Sequence, residues 1–286
     1  GRRRTDRCSE TVINNFGFCG EEMNKMIQEI HSFDEYEDFI RELATNPLYS
    51  DPHFTYDKDN LYRSLMAKDK HAFAISENGI TIGLFVWIVL PDDRYIEMLI
   101  GFTKKEEAFA EMLAYMEKNY CGYQMDLVFN PQNTAISRPL KLKGAIFDTE
   151  QQKMILIGPA PNVSTNHIEL LSDKWTKQYC DLHSTDTYWT AERILLAQDK
   201  FRVLLAVKDG QVLGYLDVQC CYEINEIYAL FVRPEVARQG YELALLVKAI
   251  KLNRPNQMMV VVDVDAEEET GLYTAAGFGK LEGQNS

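Results

Sequence analysis

The sequence has little with which to hold a metal or a disulfide framework. Its six cysteines are Cys8, Cys19, Cys121, Cys180, Cys220 and Cys221. None forms a Cys-x-x-Cys pair, and none stands with histidine at zinc-ligand spacing. His31, His53 and His71 fall at unrelated positions. No metal site is expected, and the thiols are expected to be reduced and structural. No apolar run reaches the roughly 18 residues of a membrane span, and no leader pattern opens the chain. A cytoplasmic protein without a membrane partner is therefore expected. Basic residues are also scarce. Lys and Arg number 30 against 43 Asp and Glu, a net charge of −13. Nucleic-acid binding usually needs a basic face, so no nucleic-acid partner is expected. The acidity is compatible with a basic amine ligand as well as with plain solubility.

What is present is an ordinary globular composition, 46% hydrophobic and 26% charged. A length of 286 residues suggests about two domains. Cys19 to Ala44 has helical spacing, with Met26, Ile27 and Ile30 on one face and Ser32-Phe33 as a break. Asn60 to Met66 reads as a short helix. Ala72 to Ile75 and Ile80 to Leu90 read as a hairpin around Glu77-Asn78-Gly79. Tyr95 to Phe102 is a third strand, Glu106 to Tyr120 a helix, Gln124 to Phe129 a fourth strand. Thr134 to Lys143 reads as a helix interrupted by Pro139, and Lys153 to Ile157 as the last strand of this half. Gly158-Pro-Ala-Pro161 then looks like a linker. The expected division is residues 1–157, a linker at 158–166, and residues 167–286.

The second half repeats this plan. Ile168 to Leu171 reads as an edge strand, and Asp173 to His183 and Thr190 to Gln198 as helices. Phe201 to Val207 and Val212 to Val218 flank a turn at Lys208-Asp209-Gly210. Glycines lie four apart in both hairpins, Gly79 with Gly83 and Gly210 with Gly214, and Gly144 matches Gly277. The spacing argues for duplication of one α/β unit with a mixed sheet.

The most informative stretch runs from Glu226 to Gly277. Ile227 to Val232 is an apolar strand stopped by Pro234, which has no N–H for a ladder. A polar turn, Ala237 to Gly240, opens a helix carrying Leu243, Leu246, Val247 and Ile250. Strand, glycine turn and helix together aim free N–H groups and a positive dipole end at one spot, which suits a phosphate. Met258 to Val264 is a second strand. Glu267 to Phe278 is a helix closing in Leu272-Tyr273-Thr-Ala-Ala-Gly277-Phe278.

Phe201 to Phe278 resembles the GCN5-related N-acetyltransferase (GNAT) superfamily. Val232-Arg233-Pro234 and Leu272-Tyr273 with Gly277-Phe278 match its motifs. The phosphate loop departs from them: aligned on Gly240, its Arg/Gln position is Ala237 and its last Gly/Ala position is Glu242. The resemblance implies two GNAT-like acyl-CoA N-acyltransferase domains in tandem. The first half is the degenerate one, because Thr103-Lys-Lys-Glu-Glu-Ala108 has no glycine and Leu140 stands at the place of Tyr273. It further implies acetyl-CoA as acyl donor and an amine, small-molecule or peptide, as acceptor. Phe231 and Val232 would meet the pantetheine arm through their backbone. The amides of Arg238, Gln239, Gly240, Tyr241 and Glu242 would meet the pyrophosphate. Tyr273 would act as acid, and Glu226 or Glu223 as base. Trp175, Tyr188 and Trp189 would line the acceptor pocket, or serve only as core aromatics. A catalytically silent binding or regulatory protein, and a transferase of larger acyl groups, are the alternative readings.

Overall fold

The computed structural model describes residues 25–54, 65, 67–221 and 224–286. They form two sheets flanked by helices. The first has five strands in the order β1-β2-β3-β4-β5. β1 (Lys25–Ile30), β2 (Lys70–Glu77), β3 (Ile80–Leu90) and β4 (Tyr95–Thr103) are antiparallel neighbours. β5 (Gln124–Leu127) returns parallel to β4 through α2 (Glu106–Asn119). α1 (Glu37–Ala44) covers the opposite face, and α3 (Thr134–Leu142) follows β5.

Both faces of this sheet are covered, so its strands read as nearly continuous apolar runs. Phe73, Phe85, Trp87 and Met98 pack on Phe109, Met112 and Met116 of α2. Ala74, Leu84, Val86 and Phe102 pack on Ile40 and Leu43 of α1. The hairpin turns at Asn78-Gly79 and Asp209-Gly210 have all four φ angles positive, between 50° and 78°, as two-residue hairpin loops require.

The helix expected across Cys19 to Ala44 is present only from Glu37 onward, and its first residues lie outside the described ones. Lys25–Ile30 is instead a strand, in register from Lys25 opposite Glu77 to Ile30 opposite Ala72. Met26, Ile27 and Ile30 imitate helical spacing, but pairing with the edge of β2 outweighs that local preference. The helix expected at Asn60 to Met66 lies outside the described residues apart from Leu65.

The second sheet has seven strands in the order β12-β6-β11-β10-β9-β8-β7. β7 (Ile168–Leu170), β8 (Phe201–Lys208), β9 (Gln211–Gln219) and β10 (Asn225–Val232) are antiparallel neighbours. β11 (Met258–Asp263) lies parallel to β10, and β12 (Phe278–Lys280) closes the far edge. α4 (Asp173–Leu182) and α5 (Ala191–Leu196) cover one face; α6 (Tyr241–Asn253) and α7 (Glu267–Ala276) cover the other.

β6 (Gln151–Leu156) overturns one expectation. It is the strand read as the end of the first half, yet it pairs with β11 and β12 of the second sheet. Its position before the linker hid this, because strand order in the chain does not reveal which sheet edge is open. The linker itself is held. Ile157 and Gly158 both donate their N–H to the Gly277 carbonyl, at 3.1 and 2.9 Å. Gly277 has φ +105°, and a Cβ there would lie 2.9 Å from the Gly158 oxygen. That close approach explains the glycine of the Gly277-Phe278 pair.

The halves also meet through buried charges. Lys153 of β6 is 4% exposed. Its ammonium donates to the Pro52 carbonyl at 2.9 Å and to Gln284 at 3.2 Å. Beside it, the Asp51 carboxylate accepts the backbone N–H groups of Gly101, His53 and Phe54. Burial raises Asp51 to about 7, against the pull of those three bonds and of Lys153. Burial, with Lys153, lowers His53 to about 4.

Two predictions follow from this joint. A fragment beginning at Gly158 lacks β6, so it leaves the edges of β11 and β12 unpaired. It is expected to aggregate or to melt well below a fragment that begins at Ala145, as circular-dichroism melting would show. Asp51 has a folded value above its unfolded one, so the folded state holds that proton more tightly. This stabilisation is complete below the unfolded value and is lost as pH rises through about 7. The urea midpoint is expected to fall between about pH 4 and pH 8, and to fall less in Asp51→Asn.

Candidate active site

Ile227 to Val232 supplies β-branched and aromatic residues that suit a pleated surface, and Pro234 ends the strand. β10 and β11 pair at only three positions, Asn225, Glu226 and Ile227 opposite Met258, Met259 and Val260. The register of β10 against β9 then slips at Tyr228. Beyond that slip β10 keeps β9 on one side as far as Val232 opposite Gly214. On its other side no described strand takes over, while Val261 to Asp263 of β11 keep their pairing with β6 on the far edge. The two parallel strands therefore leave a wedge, with main chain of β10 along one wall.

Phe231 and Val232 sit on that wall. The Phe231 ring stacks on Tyr215 at 5.7 Å, and the Val232 side chain packs into the core under α6. Their side chains are committed to packing, so what they can offer a ligand is backbone. Past Val232, the Arg233 guanidinium donates to the Val212 carbonyl at 3.0 Å and fixes the exit of the strand.

The loop into α6 holds two left-handed residues, Arg238 at φ +62° and Gly240 at φ +88°. Gly240 is the N-cap of α6, and a Cβ built there meets nothing within 4 Å. The space in front of the helix end is open. The side chains around it are turned to one another. Arg238 N–H donates to the Glu242 carboxylate at 3.4 Å, and the Arg238 guanidinium pairs with Glu268 of α7 at 2.5 Å. Gln239 donates to the Glu235 carbonyl at 3.3 Å. Tyr241 is buried against His167, with ring centres 5.1 Å apart, and so contributes only its amide. The loop thus offers a helix N-terminus of the right kind for an anion, with the Glu242 carboxylate already at one of its amides.

Tyr273 lies in the last turns of α7, 6% exposed, its ring 5.8 Å from that of Phe278. It belongs to the cluster that holds Ile227, Val260 and Val262. No described residue hydrogen-bonds its hydroxyl. Burial first, then the Glu269 charge, raises its pKa above the ordinary phenol range. The hydroxyl therefore stays protonated and has a proton to donate.

Glu226 is half-buried and lies on the other face of the sheet, since its neighbour Ile227 faces α6 and α7. Across the sheet Glu226 pairs with Met259, Met259 with Ile155, and Val261 with Lys153. Glu226 and Lys153 therefore share a face, and they interact electrostatically. Burial lowers the Lys153 ammonium to about 8, while Asp51 and then Glu226 pull it upward. Tyr273 and Glu226 stand on opposite faces and can meet only through the wedge beyond Ile227. Glu223 lies outside the described residues.

The face opposite α6 carries groups that the sequence did not single out. Tyr228, at the slip in β10, engages the Thr187 hydroxyl at 2.7 Å and accepts the Trp189 N–H at 3.3 Å. It so pins the segment between α4 and α5. Beneath that segment the Asp217 carboxylate meets His183 at 2.9 Å and accepts the Tyr179 hydroxyl at 3.0 Å. The other His183 nitrogen lies 2.9 Å from the Ser184 carbonyl. Burial lowers His183, but the Asp217 and Ser184 bonds outweigh it and raise the imidazole overall. Each ring nitrogen thus faces an oxygen, and burial raises the Asp217 carboxyl as well. No spacing in the sequence signals this triad, whose members come from α4, its C-cap and β9. Of the three aromatics expected at an acceptor pocket, Trp175 is core, 3% exposed and bonded to Glu169. Trp189 packs on Phe201 at 4.9 Å. Tyr188 is exposed and lies 6.1 Å from Tyr95 of β4.

Residues 166–278 match the model of the acetyltransferase (GNAT) family. Among curated proteins none matches. The fold is shared with several solved structures. One is a GCN5-related N-acetyltransferase from Sphaerobacter thermophilus, with TM-score 0.58 and 14% identity over 78% of this chain and 82% of that one. Another is a GNAT-family acetyltransferase from Colwellia psychrerythraea, with TM-score 0.51 and 11% identity over 89% and 96%. A tandem GNAT protein from the clavulanic acid biosynthesis pathway aligns with TM-score 0.54 and 12% identity over 90% and 95%. No helix among the described residues is long and apolar enough to cross a membrane. Residues 166–278 thus match the acetyltransferase (GNAT) family, and the chain as a whole has the fold of two GNAT-like domains in tandem.

Proposed function

We propose that the C-terminal half transfers an acetyl group from acetyl-CoA to an amine. The observation that carries this reading is the edge of β10 beyond Ile227 that no described strand covers, leading to the N-terminus of α6 at Gly240. The residues fit the donor in part. Backbone of Phe231 and Val232 would hold its pantetheine arm, and the amides of Arg238 to Glu242 its pyrophosphate. The donor supplies an acyl group already activated as a thioester. What the chain supplies is a proton at Tyr273 for the departing sulfur, and a carboxylate at Glu226 to draw a proton from the acceptor's ammonium. Lys153 lies on the same face and interacts with that carboxylate. Residues 167–286 form the working unit, with β6 included as its structural complement.

Glu242 opposes this reading at one point. Its carboxylate stabilises the helix end by roughly 0.3–1 kcal/mol only while no other anion is there. A silent binding protein would keep the loop in that self-satisfied state. The two readings part on donor binding. Acetyl-CoA at about 100 times its dissociation constant is expected to stabilise the fold by roughly 2.7 kcal/mol, visible as a rise in Tm. Absence of any rise at millimolar acetyl-CoA would overturn the acetyl-transfer reading and favour the silent one.

Two mutations probe the roles. Tyr273→Phe is expected to lower kcat for amine-dependent CoA release by about 10²-fold or more, with acetyl-CoA affinity kept. Unchanged turnover would remove Tyr273 from the chemistry. Glu242→Ala frees the Arg238 amide and removes a negative charge. It is expected to tighten acetyl-CoA binding by up to about tenfold, measured by calorimetry, while lowering Tm of the ligand-free protein slightly.

A further inference from the structure

The two halves repeat one plan but differ at one sheet edge. In the second half the outer edge of β11 is taken by β6, from Met259 opposite Ile155 to Asp263 opposite Gln151. Its counterpart in the first half is β5. β5 pairs with β4 from Tyr95 opposite Gln124 to Met98 opposite Leu127. Among the described residues no strand covers its other side. A strand edge of this kind presents unpaired N–H and C=O groups, and it is the template for addition of an extended peptide.

The edge opens on a cleft of about 740 Å³ between β5 and residues 145–151. The chemistry of that cleft has a period of two. Met125 and Leu127 turn toward the core under α2. Asp126 and Gln124 turn the other way, and Glu97 of β4 stands directly beside Asp126 in the parallel register. Gln124 donates to Asp126 at 3.2 Å, and the Tyr95 hydroxyl donates to Glu97 at 3.2 Å. Among the described residues neither carboxylate has a Lys or Arg partner. Burial holds the Glu97 carboxyl above its ordinary range; the Tyr95 bond opposes this and the Asp126 charge adds to it. Asp148 and Glu150 line the facing wall, and the one cation lining the cleft among the described residues, Lys141, lies over the Phe147 ring at 5.6 Å. Two adjacent carboxylates, one of them mostly buried, call for a cation that the described chain does not bring.

We propose that the outer edge of β5 is a docking surface for an extended peptide strand of alternating basic and apolar residues. Added beside β5, such a strand sends every second side chain to the Glu97–Asp126 face and the others to the Met125–Leu127 side. Its main chain completes the ladder that β6 completes for β11. The surface lies in the first half and does not depend on the acetyl-transfer reading.

The test uses the full chain and a fluorescein-labelled peptide of alternating Lys and Val, about ten residues long. Its control has the same composition in two blocks. The expected result is polarisation binding of the alternating peptide, with slowed hydrogen exchange across Gln124–Leu127. Asp126→Lys is expected to weaken binding about tenfold or more, and the milder Asp126→Asn by less, each checked for an unchanged circular-dichroism spectrum. Equal binding of the block peptide, binding without protection of β5, or no binding at millimolar peptide would each overturn the proposal.

Discussion

The site depends on how β11 is held. It pairs with β10 at only three positions, so that contact alone would not fix it. Five pairs with β6 on its outer side do the holding. Because β11 is anchored from the far side, it can leave β10 early, and the main chain of β10 past Ile227 stays open without the sheet coming apart. β6 comes from the segment that precedes the GNAT domain in the chain. The strand that backs the wedge thus comes from the neighbouring half.

The same insertion places a charge. Lys153 rides on β6 into a nearly dry position between Asp51 of the first half and Glu226 of β10. A buried ammonium costs several kcal/mol unless it is paired, so the three groups must stay together. That ties the candidate base to the joint between the halves. On the other face, Tyr228 at the slip in β10 secures the segment over the His183–Asp217–Tyr179 triad. Both features bear on β10, one at its start and one where it bends.

Much of this was legible in the residues. The Pro234 stop, the turn at Gly240, and the Gly277-Phe278 end of α7 were each readable, because proline and glycine act on the backbone locally. The hairpins at Asn78-Gly79 and Asp209-Gly210 were readable for the same reason. Other features were not. Lys25–Ile30 has helix-like spacing and becomes a strand only because β2 offers an edge. Lys153 looked like a residue of an ordinary closing strand. Tyr228 looked like one more aromatic in an apolar run, since a bulge is a relation between two strands. Glu242 was readable as an odd residue for a phosphate loop, and the structure adds that its carboxylate accepts the Arg238 amide.

The sequence by itself determined the local units: which stretches turn, which helices present an apolar face, and that a hairpin, strand and helix recur in one order across both halves. These follow from φ limits and from periodicity within a few residues. Only the tertiary structure decided which sheet receives β6, that no described strand covers the outer edge of β5 while β6 covers that of β11, and that Glu226 faces Lys153. Those are contacts between residues far apart in the chain. They are settled by which edges and which buried charges remain unsatisfied once the local units have formed.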